Sequence, residues 1–339
     1  MAAVKKKIGY ALGGGSARGL AHIGVLKVLE EKGIYPDVVA GTSIGAIIGA
    51  LYAGGHKPNE MEQLVLGLNW KKLISLADMT FPVSGLFQGK KVVSLLKSII
   101  GDLNFEQLQY AFSCVATNII NGEQVVLKEG SLVEAVRASI SIPGIFTPVL
   151  ISGAYLVDGG LVNTVPVSIC REMGADFVIG INVIPEPGKA MCSPTKDQSY
   201  PDCEPFTAES DANNSLSGIH GRTMQSHIDD INNATRHFLI SHRPDTPQNK
   251  FKLKTRKKDI NIASGSIKVP HLIDVLSQTI TIAEYKVAVE NMKGADIAIS
   301  PDVSNIGFWQ YNNARQAILL GEQAAREALT DKKISNLLK

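Results

Sequence analysis

Two apolar runs near the amino terminus each end in a glycine-rich turn and continue directly into a helical pattern. Residues 8–12 are followed by GGGSARG at 13–19, and residues 38–40 are followed by GTSIG at 41–45. Short, fully apolar runs are typical of parallel strands buried on both faces, and the helical runs that follow supply the crossovers between such strands. This pattern predicts a mainly parallel sheet covered by helices.

The alternation of apolar runs and helical patterns continues along the chain and predicts an α/β fold, a three-layer α/β/α sandwich with C-terminal helices added. Residues 1–184 are expected to form the catalytic core, residues 185–221, with five prolines, a polar loop insert that is disordered or a lid, and residues 222–339 a helical region with one short strand. Further strands are predicted at 112–120, 124–127, 155–157, 177–183 and 295–300. Helices are predicted at 17–32, 44–54, 166–173, 222–240, 270–292 and 312–329.

Charge and cysteine content exclude several classes of function. The 34 Lys and Arg against 32 Asp and Glu give no global field, so no nucleic-acid partner is expected. The basic run at 250–258 is either a solvated loop or a contact for lipid phosphates. Cysteines are too scattered for a disulfide framework or a zinc site, which favours a reducing compartment. They are Cys114, Cys170, Cys192 and Cys203.

No signal peptide or transmembrane segment is expected. The lysines at 5–7 precede an apolar run, but the glycines at 13–15 interrupt that run at once. No stretch reaches 18 apolar residues without a charge. The expected location is the cytoplasm, with peripheral contact to a membrane left open.

Ser43 is the first candidate for chemistry, because it lies in a G-x-S-x-G motif between Gly41 and Gly45. A strand precedes the motif and a helix follows it, which is the context in which such a serine projects from a sharp turn as a nucleophile. The helix amino terminus also favours negative charge developing beside it. The alternative is a tight strand-to-helix connection with an incidental serine.

The glycine loop at 13–19 opens a helix after the first strand, so its backbone N–H groups can converge on an anion. They could hold a dinucleotide phosphate or form an oxyanion hole. No acidic residue follows a second strand at the spacing that dinucleotide sites need, and no Gly-Lys-Ser/Thr is present for a Walker loop. Arg18 could brace the loop, meet a lipid phosphate, or be a solvated first-turn residue.

Asp158 is a candidate base, because an apolar run ends at this residue and continues into Gly159-Gly160. It could take the serine proton directly, if burial raises its pKa, or it could be an ordinary turn residue. A triad would need a histidine instead, and we interpret all the histidines as structural or surface residues. They are His22, His56, His220, His227, His237, His242 and His271.

Four stretches in order resemble the patatin-like phospholipase family, in particular its short bacterial members. They are GGGSARGLAHIGVLKVLEEKGI (13–34), PDVVAGTSIGAIIGALYA (36–53), EAVRASISIPGIFTPV (134–149) and YLVDGGLVNTVPV (155–167), with a weaker similarity at 295–308. The resemblance implies a Ser43–Asp158 dyad without histidine, no metal or other cofactor, and hydrolysis of acyl esters of lipids.

The resemblance also assigns further residues. Gly14, Gly15 and the Ser16 amide would form the oxyanion hole. Ser16 stands where close relatives usually have a fourth glycine, so a left-handed backbone there would be costly. Supporting motif positions are Gly13, Arg18, Gly19, Gly41, Gly45, Gly159 and Gly160. The wall of the acyl pocket would be Ile142, Pro143, Ile145 and Phe146.

The leading hypothesis is therefore a lipid acyl hydrolase that works through an acyl-serine intermediate. Ser16 and the insert at 185–221 motivate an alternative, a non-catalytic lipid-binding or regulatory protein with the same fold. A nucleotide-binding α/β protein is the third hypothesis. The expected partner is a lipid or fatty-acyl ester, and self-association is left open.

Overall fold

A mixed, mostly parallel sheet runs through the residues that the computed structural model describes, which are 6–69, 89–188 and 272–330. The strand order is β5-β6-β3-β2-β1-β7-β8, and β4 also pairs with β3. The strands are β1 Ile8–Leu12, β2 Val38–Thr42, β3 Ala111–Asn118, β4 Gln124–Leu127, β5 Val149–Ile151, β6 Ala154–Asp158, β7 Phe177–Ile181 and β8 Ile297–Ile299.

Helices cover both faces of this sheet, which confirms the three-layer α/β/α architecture and the helices near the carboxyl terminus. The helices are α1 Ala21–Glu31, α2 Ile44–Ala53, α3 Pro58–Gly67, α4 Gly89–Ile100, α5 Leu132–Ser139, α6 Val167–Glu172, α7 Leu272–Met292 and α8 Ala314–Ala328. Short 3-10 helices lie at Ser16–Leu20, Phe105–Gln107, Gly159–Leu161 and Tyr311–Asn313.

Alternation along the central strands divides the apolar core between the two helical layers. In β1, Tyr10 and Leu12 belong to the larger cluster, which includes residues of α1, α2, α3, α5 and α8. Ala11 points the other way, into the smaller cluster with residues of α6 and α7. A strand buried on both faces is apolar at nearly every position, which explains the uninterrupted run at Ile8–Leu12.

The parallel and antiparallel parts of the sheet meet at β3. Strands β1, β2, β3, β7 and β8 pair in parallel, whereas β3 pairs antiparallel with β4 and β6, and β5 pairs antiparallel with β6. The carboxyl ends of the parallel strands therefore lie along one edge, where the turns after β1 and β2 come together.

Helix α1 and helix α8 approach closely because each has a glycine at the crossing. A Cβ atom at Gly24 would overlap the backbone of Ile318, and one at Gly321 would overlap the carbonyl of Ala21. This crossing attaches α8, which lies far from α1 in the sequence, to the amino-terminal part of the core.

The structure differs from the sequence predictions at several elements. Instead of the single helix expected at 17–32, the chain forms a 3-10 turn at Ser16–Leu20 and then α1. The turn packs closely against the start of α2, because a Cβ at Gly19 would overlap the Ile44 side chain. The patterns did not predict α3, α4, α5 and β5. These elements are short or mix polar with apolar residues, as in α3, which begins at Pro58 with Glu60 capping Lys57 N.

Several predictions concern residues outside the described ranges. These are the helix at 222–240, the basic run at 250–258, most of the insert at 185–221, and every histidine from His220 onward. The division into a core, an insert and a helical region stays a prediction. Within 6–69, 89–188 and 272–330, no helix has the length and apolarity needed to cross a bilayer.

Candidate active site

Ser43 occupies the sharp turn between β2 and α2. Its backbone has φ 56° and ψ −122°, a conformation that costs free energy for a residue with a side chain and is found at nucleophile elbows. The flanking glycines are required for space, because a Cβ at Gly41 would overlap Gly45 O and one at Gly45 would overlap Leu12 O. The tight packing of strand and helix thus holds Ser43, which is 5% exposed, in a strained conformation.

Asp158 reaches Ser43 because β2 and β6 pair end to end along one side of β3, while β4 pairs along its other side and overlaps both. Thr42 at the end of β2 pairs with Val115, and Asp158 at the end of β6 pairs with the next residue, Ala116. The residue after Thr42 therefore meets Asp158 directly. Ser43 Oγ donates a hydrogen bond to Asp158 Oδ2 at 2.6 Å.

Burial makes the Asp158 carboxyl a stronger base than an exposed aspartate. It raises the pKa of Asp158 to about 6, against the opposing effect of hydrogen bonds from Ser43 Oγ and from Gly160 N, which donates to Oδ1 at 2.8 Å. The backbone around it is also fixed, because Asp158 N donates to Ser141 O and Thr117 Oγ1 donates to Asp158 O. At neutral pH the carboxylate is ionised and positioned to accept the serine proton.

Ser139 holds the elbow from α5. Ser43 N donates to Ser139 Oγ at 2.9 Å, and Ser139 Oγ donates to Val115 O at 2.7 Å. The hydroxyl thereby links the elbow to β3. Our sequence analysis did not assign a role to this serine, although it lies inside the family-like stretch at 134–149.

The glycine loop lies beside Ser43, but not all its amides are available. A Cβ at Gly14 would lie 3.4 Å from Ser43 Cβ. Gly13 N donates to Ile181 O and Gly14 N donates to Thr164 O at 2.9 Å, so the Gly14 amide is already paired, contrary to our expectation of a free donor. Within the described part of the chain, the amides of Gly15 and Ser16 have no hydrogen-bond acceptor. Their role as oxyanion donors stays a prediction.

Ser16 does adopt the left-handed backbone that the sequence analysis identified as costly, with φ 53° next to Gly15 at φ 150°. Its side chain is buried, and Ser16 Oγ shares a hydrogen bond with Tyr311 OH at 3.1 Å. Burial raises the pKa of Tyr311, as does the nearby charge of Asp158. Tyr311 is a second residue that the sequence patterns did not identify.

Arg18 braces the loop and is not solvated. It is 2% exposed, and its Nε donates to Ile306 O at 2.8 Å. Its Nη1 has no hydrogen-bond partner within the described residues. Burial lowers the pKa of Arg18 to about 10, although the charge of Glu284 partly offsets this.

Glu284 of α7 brings a second buried carboxyl next to Asp158. A Cβ at Gly160 would overlap Glu284 Oε1 and lie 3.2 Å from Asp158 Oδ1, so both carboxyls lie against Gly160. Burial and then the charge of Asp158 raise the pKa of Glu284 well above its ordinary value, and Arg18 opposes them. Two buried carboxylates this close do not both ionise readily. The hydrogen bonds that Asp158 accepts from Ser43 and Gly160 favour its ionised form.

The predicted acyl wall forms an apolar cluster that begins one residue after Ser141, whose carbonyl accepts from Asp158 N. Ile142 and Ile145 are buried there with Phe308, and Phe146, Trp309 and Ile280 pack against them. Pro143 is partly exposed in the same turn. The Arg137 guanidinium lies 5.4 Å from the centre of the Phe146 ring and donates to Thr147 O. Both contacts stabilise the turn that carries Phe146. Contact with an acyl chain stays a prediction.

For the two histidines within the described ranges, the partners are residues other than Ser43 and Asp158. Buried His22 hydrogen-bonds through Nε2 to Gly13 O at 2.8 Å, and burial lowers its pKa to about 4, so it is neutral and supports the loop. His56 lies in the connection after α2. The same ranges contain no group of three or more His, Cys, Asp and Glu that could hold a metal ion.

Comparison with known proteins gives one family match and several relatives. The family model described as patatin-like phospholipase matches residues 10–171. An uncharacterized NTE family protein of Mycobacterium tuberculosis is 33% identical over 177 residues, which cover 52% of this chain and 49% of that protein. Human patatin-like phospholipase domain-containing protein 6 is 40% identical over 183 residues, and neuropathy target esterase sws of Drosophila melanogaster is 36% identical over 183 residues. These alignments cover 52% of this chain but 13% of each animal protein.

Proposed function

Because residues 10–171 belong to the patatin-like phospholipase family, we propose that this chain hydrolyses carboxylic esters of lipids through an acyl-serine intermediate on a Ser43–Asp158 dyad. The 2.6 Å hydrogen bond from Ser43 Oγ to Asp158 Oδ2, at a strained and buried elbow, carries the proposal. The names of the human and fly relatives, a phospholipase domain-containing protein and an esterase, point to the same bond type.

The first half of the reaction transfers the acyl group to the enzyme. Asp158 accepts the hydroxyl proton as Ser43 Oγ attacks the carbonyl carbon of the ester, and the carbonyl oxygen becomes an oxyanion. The amides of Gly15 and Ser16 stabilise this oxyanion. The carbon–oxygen bond to the alcohol then breaks, and the departing alkoxide takes the proton from Asp158. The products are the free alcohol or lysolipid and an acyl-Ser43.

The second half releases the acid. A water molecule loses a proton to Asp158 as its oxygen attacks the acyl-Ser43 carbonyl, and the same amides stabilise the second oxyanion. When the bond to Ser43 Oγ breaks, the proton returns from Asp158 to the serine. The raised pKa of Asp158, about 6, suits both steps, because the group is ionised at neutral pH yet basic enough to hold a proton transiently.

The apolar cluster around Ile142, Ile145 and Phe308 supports a fatty-acyl chain as the group transferred. Such a wall removes apolar surface of the substrate from water and contributes about 0.8 kcal/mol for each buried methylene. Polar esters lacking a chain gain nothing from this wall. We therefore expect kcat/KM to rise with acyl length over a series of short to medium chains.

The test is turnover of medium-chain p-nitrophenyl esters and of a lysophospholipid by the wild type, by Ser43→Ala and by Asp158→Asn. We expect both variants to lose at least about a hundredfold in kcat. Ser113→Ala is the matched control, because Ser113 is equally buried and its hydroxyl has no partner within the described residues, and it should retain the wild-type rate. Full activity in both dyad variants would show that the assignment is wrong.

A fluorophosphonate separates this proposal from the alternative of a non-catalytic lipid-binding protein. The probe should label Ser43 covalently in the wild type and leave Ser43→Ala unlabelled. Folded wild-type protein that neither turns over esters nor reacts with the probe would favour the lipid-binding alternative.

A further inference from the structure

Three consecutive residues of the glycine loop are held by one distant segment, residues 306–311, which we call the C-terminal strap. The strap lies just before α8 and outside the family match at 10–171. Each hydrogen bond spans nearly 300 residues of sequence. The bonds are Ser16 Oγ with Tyr311 OH at 3.1 Å, Ala17 N to Phe308 O at 3.2 Å, and Arg18 Nε to Ile306 O at 2.8 Å.

The three hydrogen bonds hold different parts of the loop. The bonds to Ala17 and Arg18 fix the two residues that follow Ser16. Within the described ranges, the hydrogen bond to Tyr311 is the one made by the side chain of Ser16 itself. Ser16 has φ 53°, where a residue with a Cβ atom is disfavoured, so its conformation depends on interactions that would be lost if it relaxed.

The conformation of Ser16 matters because the two loop amides left without an acceptor, Gly15 N and Ser16 N, lie directly before its Cα atom. Gly13 N and Gly14 N already have carbonyl acceptors, so Gly15 N and Ser16 N are the loop amides left to bind an oxyanion at Ser43. Rotation of Ser16 out of the left-handed region would reorient the Gly15–Ser16 peptide and turn its N–H away, and Gly15 would have to adjust with it. Such donors act only if they are positioned before the reaction.

We propose that Tyr311 is a positioning residue for the oxyanion hole: its hydroxyl holds Ser16 in the left-handed conformation in which the Gly15 and Ser16 amides face the acyl oxygen. This inference rests on the proposed ester hydrolysis. In this role Tyr311 acts through Ser16. Its ring packs against the core beside α8, so its removal and the loss of its hydroxyl are separate perturbations.

Tyr311→Phe removes the hydroxyl and keeps the ring. We expect kcat for a p-nitrophenyl ester to fall about tenfold while KM changes less than about twofold, because the hole binds the transition state and not the ground state. Tyr52→Phe is the matched control. Tyr52 OH also donates one 3.1 Å hydrogen bond, to Glu30, far from the loop, so this change should leave kcat as in the wild type.

A double-mutant cycle with Ser16→Gly separates positioning from a general structural effect. Glycine enters the left-handed region without a steric cost, so it does not need the Tyr311 hydroxyl. Whatever rate Ser16→Gly has, adding Tyr311→Phe to it should change kcat by less than about twofold. Thermal unfolding of each variant shows whether the folded state is retained.

The outcomes distinguish the two proposals. If the wild type is no faster than Ser43→Ala, the proposed function fails and this inference fails with it. If the wild type is active and Tyr311→Phe leaves kcat unchanged, or lowers it equally with serine and with glycine at position 16, only the positioning role is refuted. A tenfold loss in the wild-type background that vanishes in the Ser16→Gly background supports it.

Discussion

Asp158→Asn should abolish hydrolysis and at the same time stabilise the fold at neutral pH. Asp158 is 2% exposed, and its burial makes the ionised form costly. Asparagine has the same shape and keeps both hydrogen bonds of this side chain: its oxygen accepts from Gly160 N and its amide donates to Ser43 Oγ. The substitution therefore removes a buried charge and leaves the contacts in place.

The size of the effect follows from the pKa of Asp158, which burial raises from 3.8 to about 6. At about 1.4 kcal/mol per pH unit, this rise corresponds to about 3 kcal/mol. The folded protein holds the proton more tightly than the unfolded chain, so the unfolded chain releases it first as the pH rises. The free energy of unfolding of the wild type should therefore fall between about pH 4 and about pH 6 and stay low above that window.

Urea unfolding of wild type and Asp158→Asn between pH 4 and pH 8 measures this difference. We expect the two free energies of unfolding to agree near pH 4 and Asp158→Asn to be more stable by about 3 kcal/mol above pH 6. The control is Asp102→Asn, at a carboxylate that is 71% exposed, which should change stability by less than about 0.5 kcal/mol at every pH. A variant that is less stable than wild type at pH 7, or a difference that does not vary with pH, would refute the reasoning.

Other predictions concern the dyad, its support and the helix crossing. Since Asp158 must be ionised, kcat/KM should fall about tenfold per pH unit below about pH 6, and activity constant down to pH 4 would contradict its role as base. Ser139→Ala leaves Ser43 N unpaired and should lower the free energy of unfolding by about 1–3 kcal/mol in a urea titration, an effect that an unchanged midpoint would exclude. Gly24→Leu places a side chain against the backbone of α8 and should lower the free energy of unfolding by more than about 2 kcal/mol. Gln323→Leu, on the exposed side of α8, is the control and should not lower it. Equal urea midpoints for the two variants would show that the crossing can relax.

Local signals in the sequence were sufficient to predict the centre of the fold. The run Ile8–Leu12 is a fully buried strand as expected, because a strand covered on both faces favours an apolar residue at nearly every position. Ser43 lies on a sharp turn because glycines at 41 and 45 permit an approach that Cβ atoms would block. Patterns of this kind depend on neighbours within a few residues, so they are visible in a single sequence.

The supporting residues depend on distant contacts, and no local pattern predicted them. Glu284 and Tyr311 reach the site from helical segments more than 120 residues after Asp158. Sequence analysis could state that a left-handed Ser16 would be costly, but neither its φ of 53° nor the tyrosine that contacts it follows from spacing. Similarly, a predicted strand at 155–157 does not reveal that β6 runs antiparallel to β3 and ends opposite Ala116.

Because β2 and β6 pair end to end along the same side of β3, the site should tolerate insertions in the loops but not in β3. Ser43 and Asp158 are 115 residues apart, yet their separation depends on two adjacent positions, Val115 and Ala116. Loops between them can grow or shrink without altering the reacting distance. One residue inserted between those two positions would move the ends of β2 and β6 apart by about 3.3 Å. It would also turn every later side chain of β3 to the opposite face of the sheet. We therefore expect the length of β3 to stay constant as this sequence evolves, while the lengths of the surrounding loops vary.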